Sequence, residues 1–298
     1  MFSGSIVALV TPFKAGKIDE EKLKKLVAFH LENGTHGIVP VGTTGESPTL
    51  SGDEHKRIVE IVTGEVSGQV PVIAGAGSNN TAEALHYHQH AANSGASGAL
   101  HVVGYYNRPN PEGVYQHFLA LNEASELPIV VYNIPPRAII DIAPETMARL
   151  AKLKNVVGVK DATGDLARPL QEARLIKEDF CYLSGDDFTA VAYNIQGGSG
   201  CISVVANVAP KLTAELQTAC REGNFGKARE LQVALLPLID ALFSEPSPAG
   251  VKYAGSLLNL CEENCRLPVV ELTSETKATI KKEMKLSLIH ISEPTRPY

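Results

Sequence analysis

The amino-acid sequence predicts an α/β protein, a (β/α)8 TIM barrel followed by a helical subdomain. Three features support this prediction. Short runs rich in valine and isoleucine recur eight times, helix-length amphipathic segments separate them, and the chain after about residue 209 contains no further strand-like run. Parallel strands that are buried on both faces are nearly continuous in apolar residues. Strand and helix that alternate eight times are typical of a closed parallel barrel.

The eight predicted strands lie at intervals that leave room for a helix between them. In chain order they are Ile6–Pro12, Gly37–Gly42, Val70–Gly75, Gly98–Tyr106, Leu127–Ile134, Val156–Asp161, Phe180–Gly185 and Gly200–Val205. A doubly wound open sheet is the alternative, and it would need a G-x-G-x-x-G fingerprint at the first helix. The run Gly75-Ala76-Gly77 lacks the third glycine, so we predict no dinucleotide site there.

The first helix illustrates the spacing between the strands. In residues 20–33, one side of a helix would contain Leu23, Leu26, Val27 and His30, and Gly34 can end it. Four further helices are predicted beyond residue 209, at Leu212–Arg221, Phe225–Phe243, Val251–Leu260 and Thr273–Lys285.

These elements define the expected domain organisation. Residues 1–224 are expected to form the barrel domain, and residues 225–285 the C-terminal helical subdomain. The final segment, residues 286–298, reads LSLIHISEPTRPY and matches no element of the preceding pattern. We interpret it as vector-derived read-through rather than as a native tail, and leave it out of the fold prediction.

Composition and charge exclude several classes of protein. The formal net charge is −6 with a pI near 5.9, and no cluster of lysine or arginine indicates a nucleic-acid surface. The five cysteines include no C-x-x-C pair, which favours a reduced compartment without a zinc site or a disulfide framework. The first residues contain no basic leader, and no apolar stretch approaches the ~20 residues of a membrane span. We therefore expect a cytoplasmic protein that binds neither nucleic acid nor membrane.

Lys160 is the strongest candidate for a catalytic residue. The active-site residues of such barrels lie at the carboxyl ends of strands, and Lys160 ends the apolar run from Val156 to Val159. Burial disfavours the charged form of an amine, and a neutral amine can attack a ketone to form a Schiff base. The alternative is a lysine that pairs with Asp161 or with another carboxylate.

Three further groups are expected at the same barrel mouth. Tyr132 ends the neighbouring strand, and its phenol can relay a proton beside a hydroxyl such as that of Thr43; the alternative is a packed ring with a satisfied hydroxyl. The loop Gly42-Thr43-Thr44-Gly45 can bind a carboxylate through its amides, or can be an ordinary turn with a threonine cap. Arg137 can hold a second carboxylate, or can lie on the surface as an isolated arginine.

Metal binding is the competing chemistry. His86, His88 and His90 lie in one helical segment, but the H-E-x-x-H arrangement is absent and barrel helices face away from the mouth. Asp186 and Asp187 follow the seventh strand, where adjacent carboxylates are more often turn and cap residues. We therefore predict no metal site and no organic cofactor.

Three motifs together resemble the dihydrodipicolinate synthase and N-acetylneuraminate lyase family of class I pyruvate aldolases. They are Gly42-Thr43-Thr44-Gly45-Glu46, Tyr132-Asn133-Ile134-Pro135 and Gly158-Val159-Lys160-Asp161-Ala162-Thr163-Gly164. The resemblance extends from Phe2 to about Met284 and implies a TIM-barrel enzyme whose lysine forms a Schiff base with pyruvate. Family members that act on sugar acids generally lack an arginine placed like Arg137, so the resemblance favours the synthase branch.

The resemblance also implies roles for individual residues. Lys160 would be the nucleophile, and Tyr132, Thr44 and Tyr106 would relay protons, with Tyr106 reaching in from a neighbouring subunit of a homodimer or homotetramer. Pyruvate and aspartate semialdehyde would be the substrates, on the path to diaminopimelate and lysine. The substrate-binding positions that match the family are Thr43, Thr44, Arg137, Gly185 and Ile202.

A site for inhibition by lysine, between subunits, is a further implication of the resemblance. The matching positions are Ser47, His55, Asn79, Glu83 and Tyr105. Gly52 departs from the pattern, because some lysine-sensitive members have a histidine there, and Asp161 stands where glutamate is common. Two alternatives stay open: a sugar-acid pyruvate aldolase of the same fold, and a non-catalytic barrel that serves as a binding protein.

Overall fold

The computed structural model describes residues 1–292, with side chains described for residues 1–285. The described chain contains ten strands, eight of which form one parallel sheet. The strands are β1 Gly4–Ala8, β2 Phe13–Lys14, β3 Lys17–Ile18, β4 Gly37–Val39, β5 Ile73–Gly75, β6 Gly98–Val102, β7 Ile129–Asn133, β8 Val156–Asp161, β9 Cys181–Ser184 and β10 Gly200–Ser203.

The eight parallel strands close into a barrel. Their order is β4-β1-β10-β9-β8-β7-β6-β5, and a parallel bridge between Ile38 and Val72 joins the two outer strands of that order. Every residue of β1, β4, β5, β7 and β10 is buried, which explains the continuous apolar runs in the sequence. The predicted barrel and its eight strands are confirmed, and the open doubly wound sheet is excluded.

The structure contains a short hairpin, made of β2 and β3, that the sequence analysis did not predict. Ala15 and Gly16 form its turn with φ angles of 49° and 78°, as two-residue hairpin loops require. Each strand has only two residues, which is too short for a periodic pattern in the sequence. The hairpin buries Phe13 to 1% exposure.

The α-helices cover the outside of the barrel and extend beyond it. The buried residues of the first helix are Leu23, Leu26, Val27 and His30, as predicted. The helices of the described chain are α1 Glu20–Glu32, α2 Gly52–Val66, α3 Thr81–Asn93, α4 Pro111–Ala124, α5 Pro135–Ala138, α6 Pro144–Leu150, α7 Arg168–Leu175, α8 Ala190–Ile195, α9 Pro210–Arg221, α10 Phe225–Phe243, α11 Ala249–Leu257 and α12 Ser274–Ser292.

The C-terminal helices pack onto the start of the barrel. A single apolar cluster contains Val7 of β1 and Leu23 of α1 together with Leu238 of α10 and Ile280 of α12. Residues far apart in the chain therefore share one core. No helix within residues 1–292 combines the length and the apolar character needed to cross a bilayer.

The last helix is longer than predicted. α12 continues to Ser292, so the predicted end at Lys285 was wrong. The helix can extend past Lys285 because the next proline in the chain is Pro294. Residues 293–298, the remainder of the segment interpreted as vector-derived, lie outside the described residues.

Candidate active site

Lys160 and Tyr132 lie side by side at the carboxyl ends of two neighbouring strands. They are register partners across β7 and β8, so their side chains share the inner face of the sheet. The Lys160 Nζ atom lies 4.2 Å from the centroid of the Tyr132 ring, and each residue is 7% exposed. The predicted juxtaposition of amine and phenol in the barrel mouth is present.

The surroundings of the Lys160 side chain are mainly apolar. Leu183 is its register partner on the other side, in β9, and Ile202 of β10 is 1% exposed in the same inner cluster as Tyr132. A Cβ atom on Gly185 would lie 3.1 Å from Lys160 Cε, so a larger residue there would displace the lysine. Gly185 therefore borders the lysine, and Ile202 lies two strands away in the same inner face of the barrel.

The loop after β4 folds into a tight turn beside the barrel mouth. The Glu46 amide donates to Thr43 O at 3.1 Å, and the Ser47 amide donates to Gly42 O at 3.3 Å. Val41 and Glu46 flank the turn with left-handed φ angles of 49° and 59°, a conformation that L-residues adopt only at a cost. Thr43 is half-buried, and Thr44, inside the turn, is 5% exposed.

A cleft of about 480 Å³ joins this loop to Tyr132 and Arg137. Arg137 lies in the single-turn helix α5, which Pro135 and Pro136 begin, and its side chain is exposed. A cation on a short helix behind two prolines is held near the cleft without being buried. Arg137 is thus both exposed and part of the cleft lining.

Tyr106 does not line this cleft in the described subunit. It is 89% exposed and has a left-handed φ angle of 69°. An exposed aromatic side chain on a strained backbone is unusual for a residue that only faces solvent. This position is compatible with the predicted contact to a second subunit.

Three of the five predicted lysine-site residues, Ser47, Glu83 and Tyr105, line the same cleft. Asn79 lies beside them and donates from Nδ2 to Tyr105 O at 3.3 Å. His55 does not line the cleft.

His55 is 3% exposed and supports another aromatic residue. Its Nε2–H donates to Gly75 O at 2.8 Å, burial lowers its pKa to about 4, and its ring stacks on Tyr87 at 3.9 Å. Tyr87 is the residue of this pair that lines the cleft. The sequence interpretation missed it, although it lies one helical turn beyond Glu83.

A polar cluster, buried apart from the exposed Asp141, lies behind the barrel strands. Asn133 and Asp161 directly follow the tyrosine and the lysine in the chain, so they face the helices instead of the mouth. Asn133 Nδ2 donates to Asp141 Oδ1 at 2.9 Å, and Arg168 Nη2 donates to Asp141 Oδ2 at 2.6 Å. The sequence interpretation noted Asp161 only as a departure from the family pattern and as a possible partner of Lys160, and it did not reveal this cluster.

Glu172 of α7 belongs to the cluster and gives a pH-dependent prediction. It is 1% exposed, and burial, followed by the nearby Asp161, raises its pKa from 4.5 to about 8. Because the folded value lies above the unfolded one, its contribution to stability is complete below pH 4.5 and is lost as the pH rises through 8. We expect Glu172→Gln to raise the free energy of unfolding by about 1–3 kcal/mol at pH 9 and to change it little at pH 5.

Urea unfolding of both proteins at the two pH values checks this expectation. Glu123→Gln, on the exposed surface of α4, is the matched control and should have no effect at either pH. An equal effect of Glu172→Gln at pH 5 and pH 9 would mean that ionisation of this carboxyl does not destabilise the fold.

The three histidines considered as metal ligands are separated by the helix geometry. His88 is buried, with Nδ1 3.1 Å from His101 Nε2 and Nε2 2.7 Å from Ser125 Oγ. His90 Nε2 lies 3.1 Å from Glu60 Oε1. Among the side chains of residues 1–285, no three His, Cys, Asp or Glu are arranged to hold a metal ion.

Known proteins resemble this chain over nearly its whole length. The model of the dihydrodipicolinate synthetase family matches residues 1–287. The 4-hydroxy-tetrahydrodipicolinate synthase of Parvibaculum lavamentivorans is 54% identical over 285 residues, which cover 96% of this chain and 98% of that protein.

Two solved structures show the same fold. The chloride-inhibited dihydrodipicolinate synthase of Acinetobacter baumannii, complexed with pyruvate, is 40% identical with a TM-score of 0.94, covering 97% of this chain and 100% of that chain. The enzyme of Cyanidioschyzon merolae, with lysine bound, is 34% identical with a TM-score of 0.93, covering 97% and 99%. These similarities confirm the family that the three motifs predicted. The chain belongs to the dihydrodipicolinate synthetase family.

Proposed function

We propose that this chain is a 4-hydroxy-tetrahydrodipicolinate synthase, which condenses pyruvate with aspartate semialdehyde through a Schiff base on Lys160. The observation that supports this function most strongly is the Lys160 amine, 4.2 Å from the ring centroid of Tyr132 in an apolar barrel mouth. The synthases among its relatives support the same conclusion. The product would enter diaminopimelate and lysine biosynthesis.

The proposed reaction starts at the Lys160 amine. It attacks the C2 carbonyl carbon of pyruvate, and the resulting carbinolamine loses water to form the imine. Removal of a proton from C3 gives an enamine, whose C3 attacks the aldehyde carbon of aspartate semialdehyde and forms the new C–C bond. The amino group of the second substrate then attacks the imine carbon, closes the ring and releases Lys160.

Proton transfers in this sequence are assigned to a chain of hydroxyl groups. Tyr132 is the phenol nearest to the amine and would protonate the leaving water and accept the C3 proton. Thr44 and Tyr106 would connect it to solvent, with Tyr106 supplied by the neighbouring subunit. The exposure of Tyr106 supports this assignment.

Binding of the substrates is assigned to the groups around the cleft. The amides of Thr43 and Thr44 would hold the pyruvate carboxylate, and the carbonyl groups of Gly185 and Ile202 would face the bound intermediate. Arg137 would hold the carboxylate of aspartate semialdehyde in a bidentate contact. The proposed mechanism uses no metal or organic cofactor, and we place the enzyme in the cytoplasm.

Replacement of Arg137 tests the choice of second substrate. We expect Arg137→Ala to lower kcat/KM for aspartate semialdehyde by roughly 10²- to 10³-fold, because a charge-assisted bidentate contact is lost, while pyruvate imine formation is unchanged. Initial rates and borohydride trapping of the imine measure the two effects. Arg174→Ala, on the exposed surface of α7, is the control, and normal turnover of Arg137→Ala would favour a sugar-acid aldolase.

Inhibition by lysine is proposed at the part of the cleft lined by Ser47, Glu83 and Tyr105. Asn79 adjoins it, His55 supports it through Tyr87, and the second half of the site would come from a neighbouring subunit in a dimer or tetramer. We expect roughly millimolar lysine to lower the initial rate and Glu83→Gln to weaken the effect, because it removes the anion that would bind the ammonium group. Glu215→Gln, exposed on α9, is the control. An initial rate that lysine leaves unchanged would refute the site.

A further inference from the structure

A buried ion pair connects the C-terminal helices to the loop after β4. Lys252 of α11 is 0% exposed, and its Nζ donates to Glu46 Oε1 at 2.6 Å. Glu46 directly follows Gly42-Thr43-Thr44-Gly45 in the chain, and 206 residues separate the two partners. The ion pair therefore joins the proposed carboxylate-binding turn to a distant part of the sequence.

The second carboxylate oxygen of Glu46 is also occupied. The Arg266 amide donates to Glu46 Oε2 at 2.8 Å, and the Arg266 guanidinium donates to Thr49 O at 2.8 Å. The same guanidinium forms a pair of hydrogen bonds with Glu54, at 2.6 and 2.7 Å. The turn and the segment that follows it are thus held from outside the barrel by one cluster of C-terminal groups.

The hairpin of β2 and β3 contributes the aromatic ring of Phe13 to this cluster of C-terminal groups. The Lys252 Nζ atom and the Arg266 Cζ atom each lie 4.3 Å from the centroid of the Phe13 ring. A cation that is removed from water is stabilised by the face of an aromatic ring. Phe13, Lys252 and Arg266 together hold the Glu46 carboxylate in a fixed place.

The backbone at Glu46 explains why such an anchor is needed. Its φ and ψ angles of 59° and 33° are left-handed, a conformation in which glycine meets no steric cost and glutamate does. The backbone conformation alone would favour glycine over glutamate at position 46. The glutamate side chain is therefore required for its contacts, which set the position of the turn.

A purely stabilising role does not account for the pair. Two buried charges lose their hydration, and apolar residues of similar volume often stabilise a core equally well. The Lys252 amine and both carboxylate oxygens of Glu46 are already engaged with each other, with the Arg266 amide and with the Phe13 ring, so neither side chain is oriented to bind a substrate. What the pair fixes is the Glu46 side chain, at the end of the turn that contains Thr43 and Thr44.

We propose that Lys252 and Glu46 are positioning residues that hold the Thr43 and Thr44 amides in the geometry that binds the carboxylate of pyruvate. The C-terminal helices thereby set the affinity for the first substrate and not for the second. This inference rests on the proposed function, because it assigns the pyruvate carboxylate to this turn.

The double variant Lys252→Met/Glu46→Gln tests the proposal with the charges removed together. The new glutamine side chain keeps an oxygen for the Arg266 amide, so no unpaired buried charge is left and the fold should be retained by circular dichroism. We expect the KM for pyruvate to rise by roughly tenfold or more, with kcat and the KM for aspartate semialdehyde changed less than about threefold. Borohydride trapping at Lys160 should need correspondingly more pyruvate and should still reach completion.

Two comparisons separate positioning from stability. Arg57→Gln/Glu20→Gln removes an exposed bidentate ion pair with contacts of 2.7 and 2.8 Å and should leave both KM values unchanged. Glu46→Asp keeps the charge but cannot reach Lys252 and the Arg266 amide together, so a smaller rise in the KM for pyruvate is expected. If the double variant does not fold, the KM for pyruvate of the Glu46→Asp variant tests the positioning role by itself.

A folded double variant, or a folded Glu46→Asp variant, with the wild-type KM for pyruvate would overturn the proposal. Equal changes in both KM values would also overturn it, since they indicate a general loss of structure. Failure of the proposed function is recognised separately. In that case the wild-type protein itself shows no turnover with aspartate semialdehyde, whereas the pyruvate dependence of trapping can still be measured.

Discussion

Lys160→Met is expected to abolish turnover, with a loss on the order of 10⁴- to 10⁶-fold, because no covalent intermediate can form without the amine. Borohydride in the presence of pyruvate should label the wild-type protein at Lys160 and should not label the variant. Methionine has nearly the length of the lysine stem, and the side chain is 7% exposed in an apolar mouth. The barrel should therefore remain folded.

Two companion variants make this result specific. Lys160→Arg keeps a cation at the site but cannot supply a neutral amine at ordinary pH, so it should be equally inactive. Lys154→Met removes an exposed lysine that contacts Glu126 and should keep full activity. Labelling of Lys160→Met by pyruvate at another residue, with turnover retained, would show that a different lysine is the nucleophile.

Tyr132→Phe is expected to lower kcat by roughly 10²- to 10³-fold, which lies within the usual range for loss of a general acid–base group. The substitution removes only the phenol oxygen and leaves the ring beside the Lys160 amine. Imine formation with pyruvate should still reach completion but should become slower. Rapid-mixing measurement of imine formation, together with the steady-state rate, separates the proton-transfer role from a packing role.

The matched control for Tyr132→Phe is Tyr182→Phe. Tyr182 lies in β9 and packs against an apolar cluster that contains Phe118 and Val159. Burial raises its pKa to about 12. Loss of its hydroxyl should leave the rate of imine formation unchanged. If Tyr132→Phe forms the imine at the wild-type rate, the ring of Tyr132 only packs against the lysine. The proton transfer would then have to be assigned to another group.

The barrel was predictable because burial on both faces leaves a clear trace in the sequence. Each parallel strand is a short apolar run, and the spacing of the runs fixes the alternation with helices. The hairpin of β2 and β3 left no such trace, because two residues cannot display a period. The length of α12 was underestimated because the composition of residues 286–292 was interpreted as a break.

The inner face of the site was predictable for a related reason. Lys160 and Tyr132 end consecutive strands, and parallel pairing places such ends side by side. Residues in loops and on helices were predicted less well, because their partners are distant in the chain. Glu172, Tyr87 and Lys252 appear in the sequence as ordinary helical residues, and only the fold shows which of them are buried and what they contact.

The first measurement is the initial rate with pyruvate and each of two aldehydes, aspartate semialdehyde and N-acetylmannosamine. Turnover with aspartate semialdehyde alone is the predicted result, and it would support both the synthase function and the assignment of Arg137 to the second carboxylate. Turnover with the sugar alone would contradict the account. It would leave the barrel and the Schiff base on Lys160 in place, but would replace the substrate and the role of Arg137.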